Sequence, residues 1–232
     1  MKHVTGFTLI AALLTLGCGA RRFSVPLMPP LIPAPHALIA WSESFDRLNS
    51  DRWREVAVRR HSSYTAVELD GRSCLRAESQ NGASILVARV EHNPDLYEWL
   101  SWDWRVDEPV QGEALGRKDG SDAAARVYVY FKTPGLPWQQ RNLDYVWSAA
   151  LPKGTMLNSA YSSQSKIIVV DSGSSSLGTW RHVDRNVEDD YRKAFGEDPP
   201  EVVAIGLMTD SDNTEGRSLA YFDDLKVSRV AP

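Results

Sequence analysis

Six oxygen-bearing side chains follow one another in Thr209-Asp210-Ser211-Asp212-Asn213-Thr214. The apolar run Val202 to Met208 precedes them, so they read as a loop at a strand end. The oxygens of Asp210, Asp212 and Asn213 suit calcium, a hard cation that takes six to eight oxygen ligands. An EF-hand is excluded, because its twelfth loop position must be Glu and, counting from Asp210, is here Tyr221. A calcium site of another kind and a capped, solvated turn both remain open for this loop.

A second set is Asp122, Arg126, Arg185, Asn186 and Asp190. Planar, bidentate polar groups beside an aromatic platform are what hold sugar hydroxyls. These five residues supply the polar part; Tyr128, Tyr130 and the loop residue Trp138 supply a platform. The competing reading is an Asp–Arg network that holds loops under a short helix, with Asn186 as its cap. Asp103, Asp122, Asp210 and Asp212 also offer paired carboxylates for glycoside hydrolysis, which needs a separation of roughly 5–10 Å. Lyase chemistry, with a Tyr or Arg beside an acidic sugar, is equally open. There is no G-x-S-x-G elbow, no H-E-x-x-H and no phosphate-binding glycine loop. His61, His92 and His182 stand isolated from one another.

The elements that must position these groups alternate with period two. In Trp99 to Phe131, Leu100, Trp102, Trp104 and Val106 share one side, opposite Ser101, Asp103, Arg105 and Asp107. Val127, Val129 and Phe131 share a side opposite Arg126, Tyr128, Tyr130 and Lys132. This pattern predicts two strands, each with a buried face and a wet face of carboxylates, arginines and tyrosines. Further short strands are expected at 64–69, 73–78, 84–90, 145–149, 166–170, 179–183, 202–209 and 219–230, with Asp70-Gly71 as a hairpin turn. Many short strands with almost no helical periodicity predict an all-β fold, an antiparallel β-sandwich or jelly roll. One short helix is expected, capped by Asn186 and ended by Gly196. The apolar-context tryptophans Trp102, Trp104, Trp147 and Trp180 read as core.

With 232 residues and a net charge of -4, the chain can build one sizeable core and lacks the basic surface that nucleic acid requires. Residues 1–20 read as a signal peptide: Lys2 and His3 precede an apolar run, Phe7 to Leu16, too short to span a bilayer. Leu14-Thr-Leu-Gly-Cys18 resembles a bacterial lipobox, which implies lipidation of Cys18 and an outer-membrane lipoprotein facing the periplasm; ordinary cleavage after Ala20 is the alternative. Residues 21–38, with five prolines, read as a semi-rigid tether, and residues 39–232 as the β-sandwich domain. The other cysteine, Cys74, is expected as a buried thiol if Cys18 is lipidated, or as a disulfide partner of Cys18 if it is not.

Trp102-x-Trp104-Arg-Val106, Asp122-x-x-x-Arg126-Val-Tyr-Val-Tyr-Phe131, Tyr145-Val-Trp147 and Met208-Thr-Asp-Ser-Asp-Asn-Thr214 together resemble DUF3047, a bacterial family of unknown function. Phe45-Asp46-x-Leu48 and Tyr221-Phe-Asp-Asp-Leu-Lys-Val227 look like carbohydrate-binding jelly rolls. In such modules an early acidic residue and an Asp of the final strand often bind structural calcium, which implies Glu43 and Asp224 here. The expectation is a non-catalytic cell-envelope domain that binds a polar glycan or envelope component. The alternatives are a glycoside hydrolase or polysaccharide lyase on the same scaffold, and a structural lipoprotein with a protein partner.

Overall fold

A computed structural model describes residues 37–134 and 140–231. Cys18 and the tether up to residue 36 lie outside the described residues, as does Trp138. The first half contributes β1 (Ile39–Glu43), β2 (Trp53–Arg59), β3 (Ser63–Leu69), β4 (Arg72–Gln80), β5 (Ala83–His92) and β6 (Trp99–Glu108). The second contributes β7 (Ala125–Phe131), β8 (Asn142–Ser148), β9 (Met156–Asn158), β10 (Ser165–Ser172) and β11 (Arg181–Asn186). Helix α1 (Val187–Phe195), β12 (Val202–Asp210) and β13 (Arg217–Ser228) close the fold.

Among the described residues, these strands form a two-sheet sandwich. One sheet has six strands in the order β11-β6-β13-β4-β3, with β1 also pairing β13; the other has seven, β2-β5-β12-β7-β8-β10-β9. Pairing is antiparallel except between β8 and β10, which run parallel. The hairpin at Asp70-Gly71 has positive φ at both residues, 56° and 76°, as a two-residue turn matching the strand twist requires.

The alternating side chains meet between the sheets. Trp102 and Trp104 from β6 are fully buried and pack edge to face, ring centroids 5.5 Å apart. Leu75, Phe131, Tyr145, Ile205 and Phe222 fill the same core. Trp180 differs from the core expectation: it packs with Tyr221 and Cys74 in a small cluster outside the main core. Cys74 there is a buried thiol pushed up to about 11, chiefly by burial. Asn186 caps α1, its side chain accepting from the Asp189 N–H at 2.9 Å, and Gly196 ends it with a left-handed φ of 76°.

The stretch from Trp99 to Phe131 is a crossover and not a hairpin. β6 lies in the six-stranded sheet and β7 in the seven-stranded sheet. Their apolar halves face each other across one core, so their polar halves point away in opposite directions. The connection crosses to the outside of the seven-stranded sheet, where Leu115 and Ala123 pack on Val146, Ile167 and Val169. That cover buries what the alternation alone would leave wet.

Candidate functional site

The loop-end residues come together first. Asp122 precedes β7, Asp210 ends β12 and Asp212 follows two residues on. One oxygen from each lies within 4.8 Å of the others, and all three residues are buried. Asp122 is a loop clasp. Its carboxylate accepts from the Asn213 N–H at 3.0 Å, Asn213 Nδ2 at 2.7 Å, the Thr214 N–H at 2.7 Å and Thr214 Oγ1 at 2.8 Å. Asn213 Oδ1 accepts in turn from the Tyr161 hydroxyl.

Arg126 is 3% exposed, not on an open wet face. Its Nε donates to Asp210 Oδ1 at 3.0 Å, Nη1 to Asp144 Oδ2, and Nη2 to the Ser121 carbonyl at 2.7 Å. Burial opposes its charge, but Asp144 and Asp210 raise it well above the ordinary value. Burial pushes Asp210 up to about 7; Arg126 opposes this and Asp122 adds to it. Asp212 is raised by burial and then by Asp122, with Arg59 opposing at 3.8 Å. Asp144 is a residue the sequence reading passed over. Its signal was an acid inside the apolar run Leu143-Asp-Tyr-Val-Trp147, since buried charges are found paired.

Tyr128 and Tyr130 stack on each other with ring centroids 5.6 Å apart, on the same outer face of the seven-stranded sheet. Tyr130 is 5% exposed and Tyr128 somewhat more open. A Cβ added to Gly206 on β12 would lie 2.9 Å from Ile85 Cγ2 and 3.2 Å from the Tyr130 ring. Glycine there lets the ring lie down on the sheet.

Arg185, Asn186 and Asp190 sit elsewhere. Arg185 pairs with the Asp190 carboxylate through Nε and Nη2, and the Tyr145 hydroxyl donates to Asp190 Oδ2 at 3.0 Å. Tyr145 lies on the core face of β8, whereas Arg126 lies on the outer face of β7. The predicted set therefore divides across the seven-stranded sheet: Asp122, Arg126, Asp210 and Asp212 on one side, Arg185 and Asp190 on the other. Asn186 Nδ2 donates to Glu98.

Glu43 and Asp224 keep separate partners. Glu43 accepts from Trp53 Nε1 at 2.9 Å and faces Arg52 at 3.3 Å; Asp224 pairs with Lys226 at 2.8 Å.

A row on the outer face of the six-stranded sheet joins residues that no sequence motif connects. His182 on β11 places Nε2 2.8 Å from Asp184 Oδ1 and Nδ1 2.5 Å from Asp103 Oδ1 on β6. Arg72 on β4 donates to the other Asp103 oxygen at 2.5 Å and to Asp223 on β13. Its guanidinium lies 4.4 Å over the partly exposed Trp180 ring. Burial opposes charge on His182, but Asp103 and Asp184 at its two nitrogens outweigh it, so the imidazole titrates above its ordinary value. Arg105, bridging Asp107 and Asp70, forms a second row beside the first. Register alone places His182 opposite Asp103 and Asp103 opposite Asp223, so strand order was the missing information.

A family model described as a protein of unknown function, DUF3047, matches residues 51–226. The chain belongs to the DUF3047 family. No curated protein matches this DUF3047 chain. Among solved structures it is similar to the family 11 carbohydrate-binding module of the cellulosomal cellulase Lic26A-Cel5E of Clostridium thermocellum. That likeness has 9% identity and a TM-score of 0.44, over 81% of this chain and 92% of the other. The xyloglucanase domain of NopAA, a type three effector from Sinorhizobium fredii, matches at 12% identity and TM-score 0.44, over 86% and 100%.

Proposed function

We propose that this domain is a non-catalytic binder of a polar glycan or comparable envelope component, held at the periplasmic side of the outer membrane by a lipid on Cys18. The observation that carries the reading is the row Asp184–His182–Asp103–Arg72–Asp223 beside Trp180 on the outside of the six-stranded sheet. With Asp223 buried beneath it, the row presents His182, Asp184, Asp103 and Arg72 as planar donors and acceptors next to an aromatic ring, on rigid strands, which is the chemistry that pairs with sugar hydroxyls. Hydrolysis is less well supported, because Asp122 and Asp210 are buried and already bound by backbone and arginine donors. A glycan array probed with the wild-type chain, His182→Ala and Trp180→Ala tests the reading. Binding that both substitutions leave unchanged excludes this face.

A second proposal concerns Asp122, Asp210 and Asp212. Burial is the chief cause of the upward shifts of Asp210 and Asp212 and the neighbouring Asp122 carboxylate adds to both, a repulsion that a hard cation would relieve. Calcium is the cation these oxygens suit. A ligand bound only by the folded state must raise the melting temperature, so calcium should raise it and a chelator reverse the rise. An identical melting temperature in both conditions leaves these residues as a loop clasp alone.

A further inference from the structure

The row on the six-stranded face closes around one protonation state. His182 stands on β11, an edge strand paired to β6, and register sets it opposite Asp103. Asp184 lies two residues on along β11 and so shares its face. Both ring nitrogens meet a carboxylate oxygen, Nδ1 at 2.5 Å and Nε2 at 2.8 Å. An ionised carboxylate only accepts, so each nitrogen must carry a hydrogen, and only the imidazolium has two. A neutral ring has one N–H and one lone pair, and one of the two carboxylates would then face the lone pair.

The groups around the ring make this consequential. Asp103 is also held by Arg72 Nη2 at 2.5 Å, whereas the Asp184 carboxylate is paired, among the described residues, with His182 alone. Arg72 on β4 in turn donates to Asp223 on β13 and lies 4.4 Å over the Trp180 ring. Arg105, the next outward residue of β6, is taken up by Asp107 and Asp70 and does not replace the imidazolium charge. The His182 side chain is 47% exposed, so its proton exchanges directly with solvent.

We infer that His182 is a proton-operated clamp: its imidazolium ties β11 to β6 and fixes Asp103, and loss of the proton opens the row. Asp103 sets where Arg72 lies on Trp180, so the groups that a ligand meets move with the clamp. That effect on binding rests on the glycan reading above; the clamp itself rests on the two carboxylate contacts. Burial opposes the charge, but Asp103 and Asp184 outweigh it, so the folded value lies above 6.5. The clamp is therefore closed below 6.5 and opens as pH rises through the folded value.

The test follows the His182 ring by NMR from about pH 5 to about pH 10, in the full wild-type chain and in Asp184→Asn, and reads the glycan array at both ends of that range. The wild-type midpoint should lie above 6.5 and should fall in Asp184→Asn, where one carboxylate charge is gone. Wild-type array binding should drop several-fold from the low to the high end. His182→Gln, which does not titrate, should bind more weakly and equally at both ends. A midpoint at or below 6.5, or one that Asp184→Asn leaves unmoved, overturns the clamp. Equal wild-type array binding at both ends overturns its control of binding and leaves the glycan reading standing. If no glycan binds at any pH, the glycan reading falls and the two midpoints alone decide the clamp.

Discussion

Arg126 holds its two carboxylates out of water, so its removal strands charge and does more than trim a contact. Arg126→Ala should cost about 3–5 kcal/mol, because Asp144 and Asp210 are left buried and uncompensated. Denaturant unfolding of the variant checks this; a loss under about 1 kcal/mol, the value of an exposed pair, would show the network to be solvated. His92 gives a pH signature. Its folded value near 4 lies below its ordinary 6.5, so the unfolded chain binds the proton first and stability falls as pH drops from about 6.5 toward 4. Asp210 acts in the opposite sense: its contribution is full below 3.8 and is lost as pH rises through about 7. The melting temperature of the wild type should therefore fall relative to that of His92→Gln as the pH drops from about 6.5 toward 4, because glutamine does not titrate; parallel pH profiles would contradict it. The residue types of the carboxylate cluster were legible in the sequence, since Asp122, Arg126 and Asp210 do meet. Their burial was not, because it depends on a crossover loop that period-two alternation does not describe. His182 was unreadable for another reason: its partners Asp103 and Arg72 come from strands that only the sheet order makes neighbours.

Elements were easier to read than their arrangement. Helix α1 has its cap and its stop where the sequence placed them, because each signal is local, and it buries Val187 and Tyr191. Asn186→Ala should cost about 1 kcal/mol for the lost cap, and more where Glu98 is also left unpaired. Thermal unfolding checks it; an unchanged melting temperature would mean the Asp189 N–H finds water at no cost. Strands were legible by alternation, but short β9 and the parallel β8–β10 pair carry no such signal. Gly206 shows how packing across strands escapes a linear reading. Gly206→Ala should destabilise by about 1–3 kcal/mol, since the added methyl meets Ile85 and Tyr130. A neutral result would show that the Tyr128–Tyr130 stack can lift from the sheet.

At the scale of the molecule, the two sheets present different outer faces. The seven-stranded sheet is capped by a loop and a buried charge network, while the six-stranded sheet shows its polar row to solvent. The anchor is separately testable: Cys18→Ser should move the protein from the membrane to the soluble fraction, and unchanged partitioning would contradict lipidation. The central claim is that the six-stranded face binds a polar glycan. The most direct measurement is a glycan array read with the wild-type chain beside Trp180→Ala and His182→Ala, each checked for an unchanged fold by its melting curve. The account predicts selective wild-type binding that falls at least about tenfold in both variants, equivalent to about 1.4 kcal/mol. Equal binding by all three proteins, or no glycan bound by the wild type, would contradict it.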